Sequence, residues 1–288
     1  MNRHLIAIAT LLLIFTTSYP KTVFLISPPR SLSVAFLRMM EASNYFIILN
    51  EPFISAFAAS IESERELTHG WWVDTAPTQY HEAEARIIKH MQEGPVFIKE
   101  IAFAIDEYMQ QPNPFLGNPD VHFVFLIRNP HHMLCSYYIG LGTIIEKFSY
   151  LAAYEQFYRL YKLVKEKHPH APLIILSEDF YTNPEQTAQQ LCNALDISYT
   201  DQMLHWKNLD SGFTGQQWHD LKNNGWIEKW HSDAMHSTGI GKPRSYEVDA
   251  YGQPTFGEII NDADRAVVWE TYKKNKIYYD LLISEWQK

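Results

Sequence analysis

Positive charge, cysteine and glycine are all in short supply in this chain, and each shortage closes a route. Asp and Glu outnumber Lys and Arg by 33 to 24, a formal charge of −9. That balance repels phosphate backbones overall and excludes nucleic acid as a partner, but it leaves room for a small anion held by local Arg or Lys. The two cysteines, Cys135 and Cys192, both fall inside helical patterns. They offer neither a disulfide framework nor zinc spacing, and they are compatible with a reducing cytosol. Glycine is missing altogether from residue 21 to residue 69. A Gly-rich Walker A loop is therefore absent there, which sets ATP and GTP hydrolysis aside.

Long apolar runs are lacking too. The longest at the N-terminus, Leu5 to Phe15, has 11 residues and is too short to span a bilayer. Behind Met1-Asn-Arg-His4 it has the charge and apolar stretch of a secretory signal, but Thr16 to Pro20 carries no A-x-A cleavage pattern. Residues 1–20 are expected to be a packed or dispensable extension, with an export signal as the alternative.

Hydrophobic residues make up 46% of the chain, enough for a sizeable core. Short apolar runs read as buried strands at Val23–Ile26, Tyr45–Leu49, Val96–Ile98, His122–Ile127 and Leu173–Leu176. Helical spacing lies between them, at Val34–Ala42, His81–Gln92 and Leu151–Lys167. Asn183-Pro184-Glu185-Gln186 predicts another helix start, with Asn183 as cap, Pro184 first and Gln186 closing a capping box. Alternation of this kind implies a parallel sheet covered on both faces, a three-layer α/β/α arrangement with ligands beyond the carboxyl ends of the strands. We expect one domain over residues 21–288, with a final helix near Ala263–Leu282. Residues 205–258 hold Trp206, Trp218, Trp226 and Trp230 among Asn, Asp, Gly, His and Gln, and read as an irregular cap.

Two strand ends carry cations. Arg128 closes Phe123-Val-Phe-Leu-Ile-Arg128, and Pro130 then opens a helix that bears Ser136. A guanidinium and a hydroxyl so placed can hold one phosphate between them. Earlier, Thr22–Ser27 reads as a strand, Pro28-Pro-Arg30-Ser-Leu-Ser33 as a turn and Val34 onward as a helix. Strand, cationic loop and helix N-terminus form a second anion cradle, in which Arg30, the hydroxyls of Ser31 and Ser33, and backbone N–H groups of residues 31–34 are the donors. Two cradles point to a ligand with phosphates at two ends.

The first segment resembles the 5′-phosphosulfate loop of sulfotransferases and the second their 3′-phosphate motif. Leu176-Ser-Glu178-Asp179-Phe-Tyr-Thr-Asn-Pro184, Asn50-Glu51-Pro52-Phe53, Leu204-His-Trp206 and His236-Ser-Thr-Gly239 are similar to stretches of a bacterial sulfotransferase-like subgroup of P-loop-like fold. The resemblance covers roughly residues 21–242. It implies 3′-phosphoadenylyl sulfate as donor co-substrate, bound by Arg30, Ser31, Leu32, Ser33 and Val34 at one end and by Arg128 and Ser136 at the other. It implies sulfuryl transfer, without a metal, to a hydroxyl or amine of a small-molecule, glycan or lipid acceptor. A cytosolic donor in turn implies a cytoplasmic protein. Leu32 stands where many members have Gly, which leaves room for a different loop path.

By the same resemblance, Arg30 and Lys99 would stabilise the transferring group. The His expected soon after Lys99 is missing, since Phe97-Ile-Lys99-Glu100-Ile-Ala-Phe103 contains none. Glu51 and Glu100 remain as carboxylate candidates for the base that takes the acceptor's proton, and Glu51 is preferred because it resembles a glutamate that some bacterial members present there. Ser237-Thr-Gly239-Ile-Gly241-Lys242 is similar in composition to the loop that closes over the 3′-phosphate, so Gly239 and Lys242 join the binding residues. His131 and His132, lacking a third ligand, read as solvated histidines rather than a metal site. The rival functions are a non-catalytic nucleotide-binding or effector protein of the same fold and a P-loop-type kinase.

Overall fold

The computed structural model describes residues 21–61, 77–141, 154–208, 225–257 and 260–288. Its centre is a five-stranded parallel sheet in the order β2-β3-β1-β4-β5, formed by β1 (Thr22–Ser27), β2 (Ile47–Asn50), β3 (Val96–Ile101), β4 (Val121–Ile127) and β5 (Leu173–Leu176). All six residues of β1 are buried, as a central parallel strand requires. Successive side chains point to opposite faces, so Phe24 and Ile26 join one core while Val23 and Leu25 join the other.

Helices fill both faces. The first core is closed by α3 (Tyr80–Glu93), α4 (Ala102–Gln110), α6 (Tyr154–Lys167) and the 25-residue α10 (Asp262–Trp286). The second is closed by α1 (Ser33–Ala42), α7 (Ser177–Thr182) and α8 (Pro184–Leu195). Of the remaining helices, α5 (Pro130–Leu141) adds Met133, Leu134, Cys135 and Tyr138 to the first core, α9 (Gly225–His236) adds Met235 to the second, and α2 (Ile54–Ser60) places Phe57 in a smaller third cluster. The architecture is a three-layer α/β/α fold.

Register decides where the chemistry falls. Leu25 pairs with Lys99, Asn50 with Lys99, and Ile127 with Leu176, so the carboxyl ends of all five strands lie along one edge. The residues that leave this edge are the loop after Ser27, Glu51, Ala102, Arg128 and Ser177.

Three local expectations are corrected. The second strand begins at Ile47 rather than Tyr45, because Tyr45 is exposed and the chain is still turning out of α1. Asn183 occupies the N-cap position of α8, and Pro184 opens the helix, but the Asn183 side chain makes no cap hydrogen bond and reaches Thr182 instead. The stretch that reads as an irregular cap contains α9, whereas residues 237–257 carry only isolated bridges. Trp218 and residues 209–224 around it lie outside the described residues. Among the described residues, no helix is long and apolar enough to cross a membrane.

α8 ends on Asp196 in the left-handed region, φ 52°. An exposed non-Gly residue there costs roughly 1 kcal/mol. Asp196→Gly is therefore expected to raise the unfolding free energy by about 0.5–1 kcal/mol, read from denaturant midpoints at unchanged slope.

Candidate active site

The loop after β1 turns twice through the left-handed region, at Arg30 (φ 58°) and Leu32 (φ 62°). Leu32 adopts the backbone state that glycine would take most easily, so the bulky residue is accommodated by strain, at about 1 kcal/mol, rather than by a helix start elsewhere. The turn delivers Ser33 as the first residue of α1, with no side chain capping the helix. The N–H groups of the first turn, which have no partner within a helix, face a cavity lined by Ser33, Val34 and Ala35.

That cavity has a volume of about 670 Å³. Most residues put forward from the sequence line it: the Arg30–Val34 loop, Glu51, Lys99, Arg128, Ser136, Gly239 and Lys242. Glu100, the second carboxylate candidate, does not.

Arg128 leaves the end of β4 and is 3% exposed. One of its terminal nitrogens donates to the backbone oxygen of Arg30, and its Nε has no partner. Arg30 is half-buried and donates from Nε to Ser136 Oγ at 3.1 Å and from Nη1 to the Trp230 carbonyl at 2.9 Å. Its guanidinium also stacks over the Trp230 ring, 5.2 Å from the centroid. The two residues expected to serve opposite ends of a ligand thus share one pocket, and Arg30 reaches the hydroxyl that α5 presents. Burial lowers the proton affinity of both guanidiniums, and for Arg30 the charge of Arg128 lowers it further. Among the described residues, neither forms an ion pair with a carboxylate.

A second cluster lies at the ends of β2 and β3. Glu51, itself at φ 51°, donates its backbone N–H to the Lys99 carbonyl at 2.7 Å and accepts an ion-paired hydrogen bond from Lys99 Nζ. His231, from α9, brings its Nε2 to 3.8 Å from the same carboxylate, and its Nδ1 is buried without a partner. Burial alone would push Glu51 up, but Lys99 and His231 outweigh it and bring the group down to about 2. Burial lowers His231, and Glu51 offsets part of that.

Glu100 is fully buried, with Oε2 accepting from Phe53 N–H at 3.0 Å and Oε1 from Ile101 N–H at 2.9 Å. Burial, then the neighbouring Glu51 charge, push it up to about 8. Two adjacent carboxyls therefore hold opposite states near neutrality, Glu51 ionised and Glu100 protonated.

The far rim is set by pairing. Gly239 bridges His205, and a Cβ there would lie 2.9 Å from the Leu204 carbonyl, so the loop approaches too closely for a side chain. Trp206 fixes the same loop, donating its backbone N–H to the Thr238 carbonyl at 3.2 Å and its Nε1–H to Ser237 Oγ at 3.1 Å.

A family model described as a sulfotransferase domain matches residues 22–250, which span both clusters and the rim loop. The chain belongs to the sulfotransferase-domain family. It is 24% identical over 235 residues to branched-chain-amino-acid aminotransferase-like protein 2 of Arabidopsis thaliana, covering 76% of this chain and 36% of that protein. The chain thus spans about a third of that relative's length. Among solved structures it is similar to the sulfotransferase domain of the curacin biosynthetic pathway, with 16% identity, 78% and 93% of the two chains covered and a TM-score of 0.43. It is similar also to the sulfotransferase domain of the Synechococcus PCC 7002 olefin synthase, with 12% identity, 88% and 95% covered and a TM-score of 0.45.

Within this sulfotransferase domain, Trp230, named from the sequence only as part of a cap, lines the cavity, and sequence reasoning missed His231, Asp233, Arg244 and Tyr246, which line it too. The tryptophan-rich composition marked their stretch as a cap, but no spacing signal connects α9 to a loop two hundred residues earlier. His131, read as solvated, is 2% exposed; it packs edge-on to Phe256 at 5.1 Å, and burial and the adjacent His132 bring it down to about 4. His132 pairs with Glu178 at 3.5 Å.

The two carboxyls of this domain act on stability with opposite sign. Glu51, depressed when folded, contributes stability above the unfolded value of about 4.3 and loses it as pH falls toward about 2. Glu100, raised when folded, holds its proton longer than the unfolded chain does, so stability falls as pH rises from about 4.3 to about 8. Glu100→Gln should abolish that decline while costing about 1 kcal/mol at pH 5 for the lost acceptor. Denaturant titrations from pH 5 to 9 should show the two curves crossing.

Proposed function

We propose that the chain transfers a sulfuryl group from 3′-phosphoadenylyl sulfate to an acceptor hydroxyl. The observation that carries this reading is the pair of a buried Arg128 and a half-buried Arg30, side by side at the strand ends next to a helix N-terminus, neither ion-paired to a carboxylate among the described residues. Cations held out of water without a direct ion pair are costly, and an anionic ligand offsets that cost. The residues present fit a nucleotide that carries phosphate at both ends. Arg128, Ser136 and the Gly239–Lys242 loop would hold the 3′-phosphate; Arg30, Ser31, the Leu32 backbone, Ser33 and Val34 would hold the 5′ end. Arg30 must then leave Ser136 and the Trp230 carbonyl to face the 5′ group, and Lys99 would share the charge that develops on the transferring group.

The base deserves reassignment from Glu51. A carboxylate held near 2 by Lys99 has little affinity for a hydroxyl proton at neutral pH. His231 is kept neutral by burial. Glu51 beside Nε2 favours the tautomer with its proton there, leaving the other ring nitrogen to accept. In the transfer, the acceptor oxygen forms a bond to sulfur as the bond from sulfur to the 5′-phosphate oxygen breaks. That oxygen keeps the electron pair, and His231 takes the acceptor's proton.

Packing of α10 on α5 and α6 supports reading residues 21–288 as one catalytic unit. The buried, free Cys135 and Cys192 suit a reducing cytoplasm. The reading is tested by incubating the protein with sulfur-labelled donor and mixed hydroxyl acceptors. Acceptor-dependent appearance of labelled ester together with 3′-phosphoadenosine 5′-phosphate is expected. Magnesium-dependent turnover of ATP with no ester would support a kinase instead.

A further inference from the structure

Next to the Glu51–Lys99–His231 cluster, the cavity wall changes character. Ile54 from α2, Ile101 and Phe103 from the β3–α4 junction, Tyr137 from α5 and Trp230 from α9 all line it, and all five belong to one packed hydrophobic group. The Tyr137 and Trp230 rings lie 5.6 Å apart at 32°. The Trp230 ring reaches its place because residue 140 is glycine: a Cβ at Gly140 would fall 2.3 Å from the ring. Trp230 thereby forms a partition, with Arg30 stacked over it toward the donor loop and Tyr137 beside it in the apolar wall.

We infer that the acceptor is an uncharged alcohol or phenol on an apolar body, seated against Ile54, Ile101, Phe103, Tyr137 and Trp230 with its hydroxyl at His231. This rests on the sulfuryl-transfer reading and narrows it. A body bearing ammonium, carboxylate or many hydroxyls would leave polar groups desolvated against these five largely apolar side chains, whereas an apolar body gains from burial there. The sulfuryl group goes to the acceptor oxygen, and its proton to His231, as written above. Gly140 and Trp230 set the width of the slot.

The test uses the full chain saturated with 3′-phosphoadenosine 5′-phosphate for binding, and with the sulfated donor for turnover. The probes are 2-naphthol, 1-octanol, glucose and tyramine. We expect 2-naphthol or 1-octanol to be sulfated with kcat/KM at least tenfold above glucose and tyramine; which of the two leads separates an aryl from an alkyl body. Gly140→Ala should raise KM for the preferred probe about tenfold. Ile54→Asp, at a partly buried position of the wall, should weaken probe binding about tenfold while nucleotide affinity stays within about twofold. Nucleotide binding with preferential transfer to glucose or tyramine, or with no transfer to either apolar probe, overturns the acceptor assignment and leaves the donor site standing. Absence of nucleotide binding overturns the donor reading itself, and this inference with it.

Discussion

Alanine in place of Arg128 is expected to weaken binding of 3′-phosphoadenosine 5′-phosphate by about 30- to 1,000-fold, that is, roughly 2–4 kcal/mol. The guanidinium is almost wholly buried, bonds the Arg30 carbonyl and keeps its Nε without a partner. A phosphate that engages it takes charge-assisted hydrogen bonds in a site screened from water, where each counts for most. The same burial makes the cation a burden when no ligand is present. Arg128→Ala should therefore unfold within about 1 kcal/mol of the parent, or at higher denaturant, despite losing its bond to Arg30. Isothermal titration and urea unfolding on one preparation check both halves. A merely structural arginine would lose stability and leave affinity alone. Arg30→Ala should differ in kind, lowering turnover as well as affinity, since in the proposed reaction its charge would turn to face the bond that breaks.

Removing the His231 imidazole is expected to lower kcat by about 10²- to 10⁴-fold with nucleotide affinity nearly unchanged. The pH profile supplies the sign. Burial lowers His231 below the ordinary histidine value of about 6.5, so it is neutral and competent at pH 7. Activity should hold through neutrality and fall only as pH drops through the lowered value. Glu51→Gln removes the charge that partly offsets burial, so the acid limb should move to lower pH still. It also strands Lys99 as a buried cation and should cost about 3–5 kcal/mol of stability. Were Glu51 itself the base, His231→Ala would keep most of its turnover and Glu51→Gln would keep none.

Much of the sheet is legible from runs such as Thr22–Ser27, because a strand buried on both faces has no alternative to continuous apolar residues. Arg30, Arg128 and Ser136 are legible for a related reason: a cation at the end of such a run calls for an anion. Their mutual contact is not, since it depends on the order in which strands assemble, with β1 between β3 and β4. His231 was invisible. It reaches Glu51 only through the packing of α9, a helix whose sequence reads as irregular. Leu32 teaches the converse. Propensity argues against a branched aliphatic residue in the left-handed region, yet the helix N-terminus and the Ser177 hydroxyl bonded to the Ser31 carbonyl at 2.8 Å hold the turn in place. Glu100, a candidate base in the sequence, accepts hydrogen bonds from two backbone N–H groups, those of Phe53 and Ile101.

The central claim is that Arg30 and Arg128 form one receptor for a nucleoside phosphorylated at both ends. Calorimetric titration of the full chain with 3′-phosphoadenosine 5′-phosphate, beside ATP with and without magnesium, addresses it most directly. The account predicts saturable one-site binding of the bisphosphate, independent of magnesium, abolished or severely weakened by Arg128→Ala, and at least tenfold tighter than ATP. Equal or tighter binding of magnesium ATP, or no heat from the bisphosphate at all, would contradict it.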